Sequence, residues 1–466
     1  MSDSSSERIA AELRSWIAAA PPGAKLPSTR SLTRSHGASP VTVQKALHTL
    51  TRQGLIETRP GVGTFVSTPR ATRPHDYSWQ TAALGAPAAR LPQSASLRQA
   101  SPDVVGLHEG YPERDLLPHR MVRAALARAA RGDVAVTRPP SSGVPELRAW
   151  FAAELAAVTS AGLTAPTAKD VVVLPGSQSG LSTLFRSLVG ARMPLLMESP
   201  TYWGAIGAAM QAGVEVVPVS SGAHGPDPGE LDRALTETGA RAFYAQPTYA
   251  NPTGAQWSPA RADAVLRVIR AHGAFLIEDD WAHDFGISST PSPLAARDDS
   301  GHVVYVRSLT KSVSPAIRVA GLIARGPAFE RILADLQAHV LYVSGILQAA
   351  ALDVVTQPGW RTHLRGVRQQ LAARRDLLVD AVRTHLPTAH VEAVPAGGLN
   401  LWVQLPDDTD LPGLIRDCEA RGVAIAGGDD WFPAEPTGRF LRLNYSGPNP
   451  GAFPDAVRVI GECLPG

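Results

Sequence analysis

Six short apolar runs, at residues 171–174, 194–197, 214–219, 242–245, 275–277 and 303–306, are spaced along the sequence with helical stretches between them. Strands that alternate with helices predict an α/β body, with a mostly parallel sheet and helices on both of its faces. Sheets of that kind bind their ligands beyond the carboxyl ends of the strands. The residues that follow each run are therefore the first to examine for chemistry. Roughly the last hundred residues read instead as a smaller α+β unit.

At 466 residues the chain has room for about two to four domains. Its 44% hydrophobic content and net charge of +2 are those of a soluble globular protein. Cys418 and Cys463 are its only cysteines and neither sits in a C-x-x-C pair. That argues against a disulfide framework or a structural zinc site, and no metal is predicted. No run approaches the roughly 18 apolar residues of a membrane span. Residues 1–10 lack the basic start and apolar core of a signal peptide, so a cytoplasmic protein is expected. The charge is uneven: residues 1–70 carry nine Lys and Arg against four Asp and Glu, whereas the remainder carries 35 against 38. A small basic head on a mildly acidic body predicts that nucleic acid meets the head alone.

Residues 1–68 carry the pattern of that head. Ile9, Leu13, Trp16 and Ile17 recur at helical spacing and predict a helix over 7–20. Ser28 can cap a short second helix that Gly37 ends, and Ser39-Pro40 supplies a cap and a first-turn proline for a third. The third helix turns Val43, Leu47 and Leu50 to one side and stops at Gly54. Two strands, at 55–57 and 64–66, then flank the glycine turn Arg59-Pro60-Gly61-Val62-Gly63. This is a winged helix-turn-helix plan, which lays its third helix in the major groove of double-stranded DNA. Ser39 and Thr42 can bond phosphates or bases, Gln44 can read adenine, and Val41 can touch a thymine methyl. Lys45, Arg30, Arg34 and Arg59 are candidates for phosphate contacts. A packing or protein-interaction module is the alternative. Residues 69–100, rich in Pro and Ala, read as a linker with some extended structure, leaving 101–466 as the body.

Four motifs of the body follow predicted strands. Pro175-Gly176-Ser177-Gln178-Ser179-Gly180 opens a helix, whose N-terminal N–H groups can cradle a phosphate with Ser177, Gln178 and Ser308 as side-chain partners. Asn251-Pro252-Thr253-Gly254 offers Asn251 as a donor. Asp279 ends an apolar strand and can pair with a ring nitrogen, metal binding or plain solvation being its alternatives. Lys311 closes Ser308-Leu309-Thr310-Lys311. That tetrad also occurs in β-lactamase-type serine enzymes, but the companion motifs S-D-N and K-T-G are absent. A lysine for a Schiff base, a carboxylate for a pyridinium, a donor for a ring hydroxyl and a phosphate cradle are what pyridoxal 5'-phosphate (PLP) requires.

The head resembles the GntR family of bacterial repressors in Leu26-Pro27-Ser28-Thr29-Arg30-Ser31-Leu32, in Val41-Thr42-Val43-Gln44-Lys45-Ala46-Leu47, and in Gly54-Leu55-Ile56-Glu57 leading to Gly61-Val62-Gly63-Thr64-Phe65-Val66. By that resemblance Arg30, the start of the third helix and the wing glycines Gly61 and Gly63 contact an operator. Pro40 and Gln44 stand where relatives commonly carry arginines. From about residue 105 to 460 the chain resembles fold-type I PLP enzymes, the aspartate aminotransferase superfamily. The resemblance implies that Arg318, seven residues after Lys311, reaches the PLP phosphate. It implies that Tyr202, in Glu198-Ser199-Pro200-Thr201-Tyr202, stacks on the ring, and that Arg442, in Phe440-Leu441-Arg442-Leu443-Asn444-Tyr445-Ser446, grips an α-carboxylate. Gly110 and Pro112 resemble the substrate-side loop.

Together the two parts look like the MocR/GabR subfamily of regulators. That implies a head-to-tail homodimer, and an effector that is an amino compound or PLP itself. Two departures bear on catalysis: Trp281 stands where relatives carry a tyrosine bonding the ring hydroxyl, and Arg138 stands where they carry a phosphate-binding tyrosine. A regulator with a sensing body is the leading reading. An active aminotransferase with an appended head, and a PLP-free dimerisation body, are the alternatives.

Overall fold

Each of the six apolar runs falls on a strand of one eight-stranded sheet. The computed structural model describes residues 5–67, 76–85, 97–98, 100–101 and 103–464, and most of the expected linker lies outside them. The chain divides into two compact units, residues 1–88 and 89–466.

In the first unit α1 (Ser5–Ala19), α2 (Thr29–Ser35) and α3 (Pro40–Arg52) precede the hairpin β1 (Ile56–Arg59) and β2 (Gly63–Val66). Ser28 caps α2 by accepting from the Ser31 N–H, and Ser39 caps α3 by accepting from the Thr42 N–H, 3.2 Å in each case. Ile9, Leu13, Val43, Leu50 and Ile56 form the core of the helices and the hairpin. In the expected linker, the described stretch 76–85 is helical over Ser78–Leu84 rather than extended. Alanine-rich composition favours a helix there, Asp76 starts it by accepting from the Ser78 N–H at 2.8 Å, and Gly85 follows at φ +65°.

The strands of the second unit are β3 (Val105–Gly106), β4 (Val171–Leu174), β5 (Pro194–Ser199), β6 (Glu215–Gly222), β7 (Gly225–Pro226), β8 (Ala242–Ala245), β9 (Phe275–Asp280), β10 (Val303–Ser308), β11 (Ala320–Ile323), β12 (Asn400–Leu405), β13 (Val423–Ala424), β14 (Ala426–Gly427) and β15 (Arg439–Asn444). The large sheet runs β4-β11-β10-β9-β8-β5-β6-β7. Its centre is parallel, from β10 through β9, β8 and β5 to β6, while β11 lies antiparallel between β4 and β10. Alternate residues serve opposite faces. Val303 and Tyr305 of β10 join the core under the helices Pro145–Ala156, Pro259–Ala271 and Gly345–Thr356. Val304 and Val306 join the core under Ser177–Leu184, Trp203–Ala212 and Pro327–Val340. A smaller sheet, β12-β15-β14, and the parallel pair β13-β3 pack with the long helix Gly359–His385 and the helix Phe453–Cys463 around a third core.

Candidate functional site

Every one of the eight residues expected at the cofactor lines one cavity at the carboxyl ends of β4, β8, β9 and β10. Ser177, Gln178, Tyr202, Asn251, Asp279, Ser308, Lys311 and Arg318 share it with Tyr111, Gln246, Trp281 and Thr310. Asp279 is carried inside β9, which runs one residue beyond it to Asp280. Its Oδ2 accepts from the Tyr244 hydroxyl at 2.9 Å and from Gln246 Nε2 at 2.8 Å. Its Oδ1 is buried with no partner among the described residues. Burial pushes this carboxyl up to about 6, against the pull of its two donors and Lys311. A buried carboxylate oxygen without a donor is costly unless a ligand supplies one.

Lys311 follows the end of β10 and is half-buried. Burial, with Arg442 and Arg318 nearby, pushes its amine down to about 8, and Asp279 opposes the shift. Its Nζ lies 4.6 Å from the ring centroid of Trp281 and 5.2 Å from that of Tyr111. Trp281 does not offer its indole N–H to the cavity, because Nε1 donates to the Tyr249 carbonyl at 3.0 Å.

At the other end of the cavity, Gly176 precedes the helix Ser177–Leu184 at φ +89°, a conformation that favours glycine. A Cβ there would come within 3.0 Å of the Arg318 guanidinium. The Ser177 and Thr310 hydroxyls are buried without partners among the described residues. The Gln178 amide nitrogen donates one hydrogen to the Gly204 carbonyl at 2.6 Å. Its second amide hydrogen and its backbone N–H in the first helical turn are the donors left for an anion.

Asn251 accepts at Oδ1 from Arg442 Nε (3.0 Å), and its own N–H donates to Gln246 Oε1 (2.9 Å). With the oxygen so engaged, the amide nitrogen is the group left to serve a ring hydroxyl. Arg442, only 2% exposed, also donates Nη1 to the His108 carbonyl at 3.1 Å and stacks 5.2 Å from the Trp431 ring. No carboxylate lies within 4.0 Å of it among the described residues. Burial pushes the guanidinium down to about 9. Gly110 borders it, with room for a Cβ 3.5 Å from Nη2. Arg138 is exposed and takes no part in lining the cavity.

Sequence reasoning missed Tyr111, Tyr244, Gln246 and Thr310 as parts of this site. Gln246 stands directly after β8, where a polar residue ending a fully buried strand was a readable signal. Tyr111 lies between Gly110 and Pro112. Tyr244 gave none, since it reads as a strand aromatic.

In the head, Arg30, Gln44 and Lys45 are exposed, and Val41 is 75% exposed on the first turn of α3. Ser39 and Thr42 are already engaged with each other, their hydroxyls 2.8 Å apart. Arg59, an expected phosphate contact, is paired with Glu57 and stacks 4.8 Å from the Phe65 ring. Gly61 sits at φ +74° in the wing turn, and at Gly63, φ +138°, a Cβ would meet Lys25 Cε at 2.7 Å.

Residues 102–424 match the family model for aminotransferase class I and II, and residues 5–66 match that for bacterial regulatory proteins of the gntR family. An uncharacterized HTH-type transcriptional regulator of Bacillus subtilis, YdfD, is 25% identical over 91% of this chain and 89% of its own. The probable rhizopine catabolism regulatory protein MocR of Rhizobium meliloti is 28% identical over 94% and 88%. The 2-aminoadipate transaminase of Thermus thermophilus is 28% identical over 84% of this chain and 98% of its own. Among solved structures, the α-aminoadipate aminotransferase LysN of Thermus thermophilus, complexed with N-(5'-phosphopyridoxyl)-L-leucine, superposes with a TM-score of 0.75 at 26% identity, covering 83% of this chain and 98% of that one. The chain belongs to the aminotransferase class I and II family and carries that body behind a gntR-family helix-turn-helix domain, the architecture of a MocR-type transcription regulator.

Proposed function

We propose that this regulator holds PLP on Lys311 and answers to a small amino compound, or to PLP itself, by changing how its heads bind an operator. One observation carries the cofactor assignment: Asp279 Oδ1 is buried and unpartnered in a cavity that is also lined by a lysine and by two unpartnered hydroxyls. These residues fit PLP. Asp279 accepts from the pyridine nitrogen and Asn251 serves the ring hydroxyl. The Ser177 and Thr310 hydroxyls, the helix N-terminus and Arg318 hold the phosphate. Tyr202 and Trp281 supply aromatic surface beside the ring. When bound, PLP supplies an aldehyde for an amine and a ring that withdraws electrons from it. Arg442 then takes the carboxylate of the amino compound.

The neutral Lys311 amine is the form that captures the aldehyde. Its depressed value predicts a capture rate that levels off above pH 8 and falls roughly tenfold per unit below it. Stopped-flow absorbance on PLP-free protein from pH 6 to 9 measures this, and a midpoint near 10.5 would contradict it.

Regulation acts in the cytoplasm through a homodimer whose two heads read two half-sites. Gln44→Ala is expected to alter operator preference, and Lys45→Ala to weaken every duplex alike and to reduce the salt slope by about one. Equal binding of wild type and both variants to all duplexes would refute this docking. The effector claim is tested on the same operator with a panel of amino compounds, at least one of which is expected to shift the binding curve.

A second reading, a working aminotransferase with an appended head, is favoured by the depressed Lys311 amine and the carboxylate-free Arg442. Conversion of PLP to its amine form at many turnovers per second with an amino acid and an oxo acid would establish it.

A further inference from the structure

Behind β9 and β10, on the face away from the cofactor cavity, lies a larger cleft of about 830 Å³ that the reading above does not use. The register of the two strands pairs Val306 with Asp279 and Arg307 with Asp280. Strand alternation sends Asp279 to one side of the sheet, and Asp280 and Arg307 to the other.

The floor of this cleft is charged and only partly satisfied. Arg307, 4% exposed, donates Nη1 to Glu154 at 3.1 Å and Nη2 to Asp284 at 3.2 Å. Its Nε has no partner among the described residues, nor has Asp284 Oδ2, although the Asp284 side chain is only 4% exposed. Buried polar atoms left in this condition are costly and rare; an anion can serve the Arg307 Nε–H, whereas Asp284 Oδ2 needs a donor such as water.

The wall is cationic. Arg361, Arg365 and Arg368 stand at i, i+4 and i+7 of the helix Gly359–His385, so they share a face. No carboxylate lies within 4.0 Å of any of them among the described residues. All three are exposed; Arg368 gives donors to the Ile287 and Ser289 carbonyls, Arg365 gives one to the Thr362 hydroxyl at 2.9 Å, and the remaining donors of Arg361 and Arg365 face the cleft. Apolar surface is supplied by Trp150, whose ring lies 5.0 Å from the Arg307 guanidinium, and by the buried Trp360. Four arginines against two carboxylates give the lining a positive surplus.

We propose that this cleft binds a small anion carrying a flat apolar group, an aromatic carboxylate or phosphate. Its charge meets Arg361 and Arg365, and its ring lies against the tryptophans. Arg307, on the floor of the cleft, is the chain neighbour of Ser308, which lines the cofactor cavity. Binding here does not depend on the PLP assignment.

Calorimetric titration of the full chain with benzoate, phenyl phosphate and neutral benzamide tests this. Either anion is expected to bind at least tenfold more tightly than benzamide, and the preferred one identifies carboxylate or phosphate as the recognised group. Arg361→Gln combined with Arg365→Gln is expected to weaken that anion at least tenfold, with unchanged melting temperature and unchanged PLP absorbance. Arg442→Leu is expected to leave anion binding intact. Equal binding of all three probes, no binding of either anion, or unaltered binding in the double variant would overturn the proposal. Loss of anion binding in Arg442→Leu would overturn it too, by locating the anion in the cofactor cavity.

Discussion

Lys311→Ala is expected to remove the visible absorbance of the PLP-loaded protein completely, while leaving a folded chain that still binds DNA. No other amine can substitute, because Lys311 is the only lysine lining the cavity among the described residues. The variant should also be no less stable than wild type when both are free of PLP. Burial holds the Lys311 amine at about 8, against an ordinary value of 10.5. Between those values the unfolded chain binds the additional proton, so wild-type stability rises with pH across that window. At neutral pH the buried ammonium is a cost that alanine removes. Absorbance spectra and thermal melts of the two proteins check both halves. A PLP-dependent visible band that persists in the alanine variant would place the cofactor's attachment elsewhere.

Arg442→Leu is the second large effect. An amino-acid carboxylate brought against a buried guanidinium gains a charge-assisted pair in a site closed to water. Removing one member of such a pair costs about 3–5 kcal/mol, a loss of about two to nearly four orders of magnitude in affinity. The response of the visible spectrum to amino acids should fall by that much, with PLP still retained. Stability should change by no more than about 2 kcal/mol. The cost is donors lost to Asn251 and the His108 carbonyl, and it is offset by removing a charge that has no carboxylate partner. Spectral titration with a panel of amino acids, followed by chemical denaturation, measures both. An undiminished response would assign carboxylate recognition to another residue.

Strands β4, β5, β8, β9 and β10 were legible because each is a run of apolar side chains buried on both faces, a local property, and β6 was legible from Val216, Val217 and Val219 although it is only partly buried. β11 was not, since four residues after a polar loop carry no periodicity, and their antiparallel insertion between β4 and β10 is decided by packing. The cluster around Lys311 was readable because the open ends of parallel strands converge, so motifs at several strand ends become neighbours. Gln246 and Tyr244 escaped because their task is to hold Asp279, a contact across 33 and 35 residues of sequence. The engagement of Arg59 by Glu57 escaped for a different reason. A surface arginine reads as a free cation until the hairpin sets Glu57 and Phe65 beside it. The cleft behind the sheet has no motif at all. Its arginines come from β10 and from a helix beginning half a hundred residues later, and only the fold makes them one surface.

Gln246 gives this body a property that neither of its neighbours has alone. Its amide nitrogen holds Asp279 and its amide oxygen holds Asn251, which in turn holds Arg442. A single side chain thus joins the carboxylate proposed for the cofactor's ring nitrogen to the cation proposed for the visitor's acid group. Neutralising that cation is expected to repolarise the whole line without any shift of the main chain. On the proposed reading, tuning which molecule is sensed also retunes the cofactor that senses it, and changes made at the two ends are expected not to add as independent quantities.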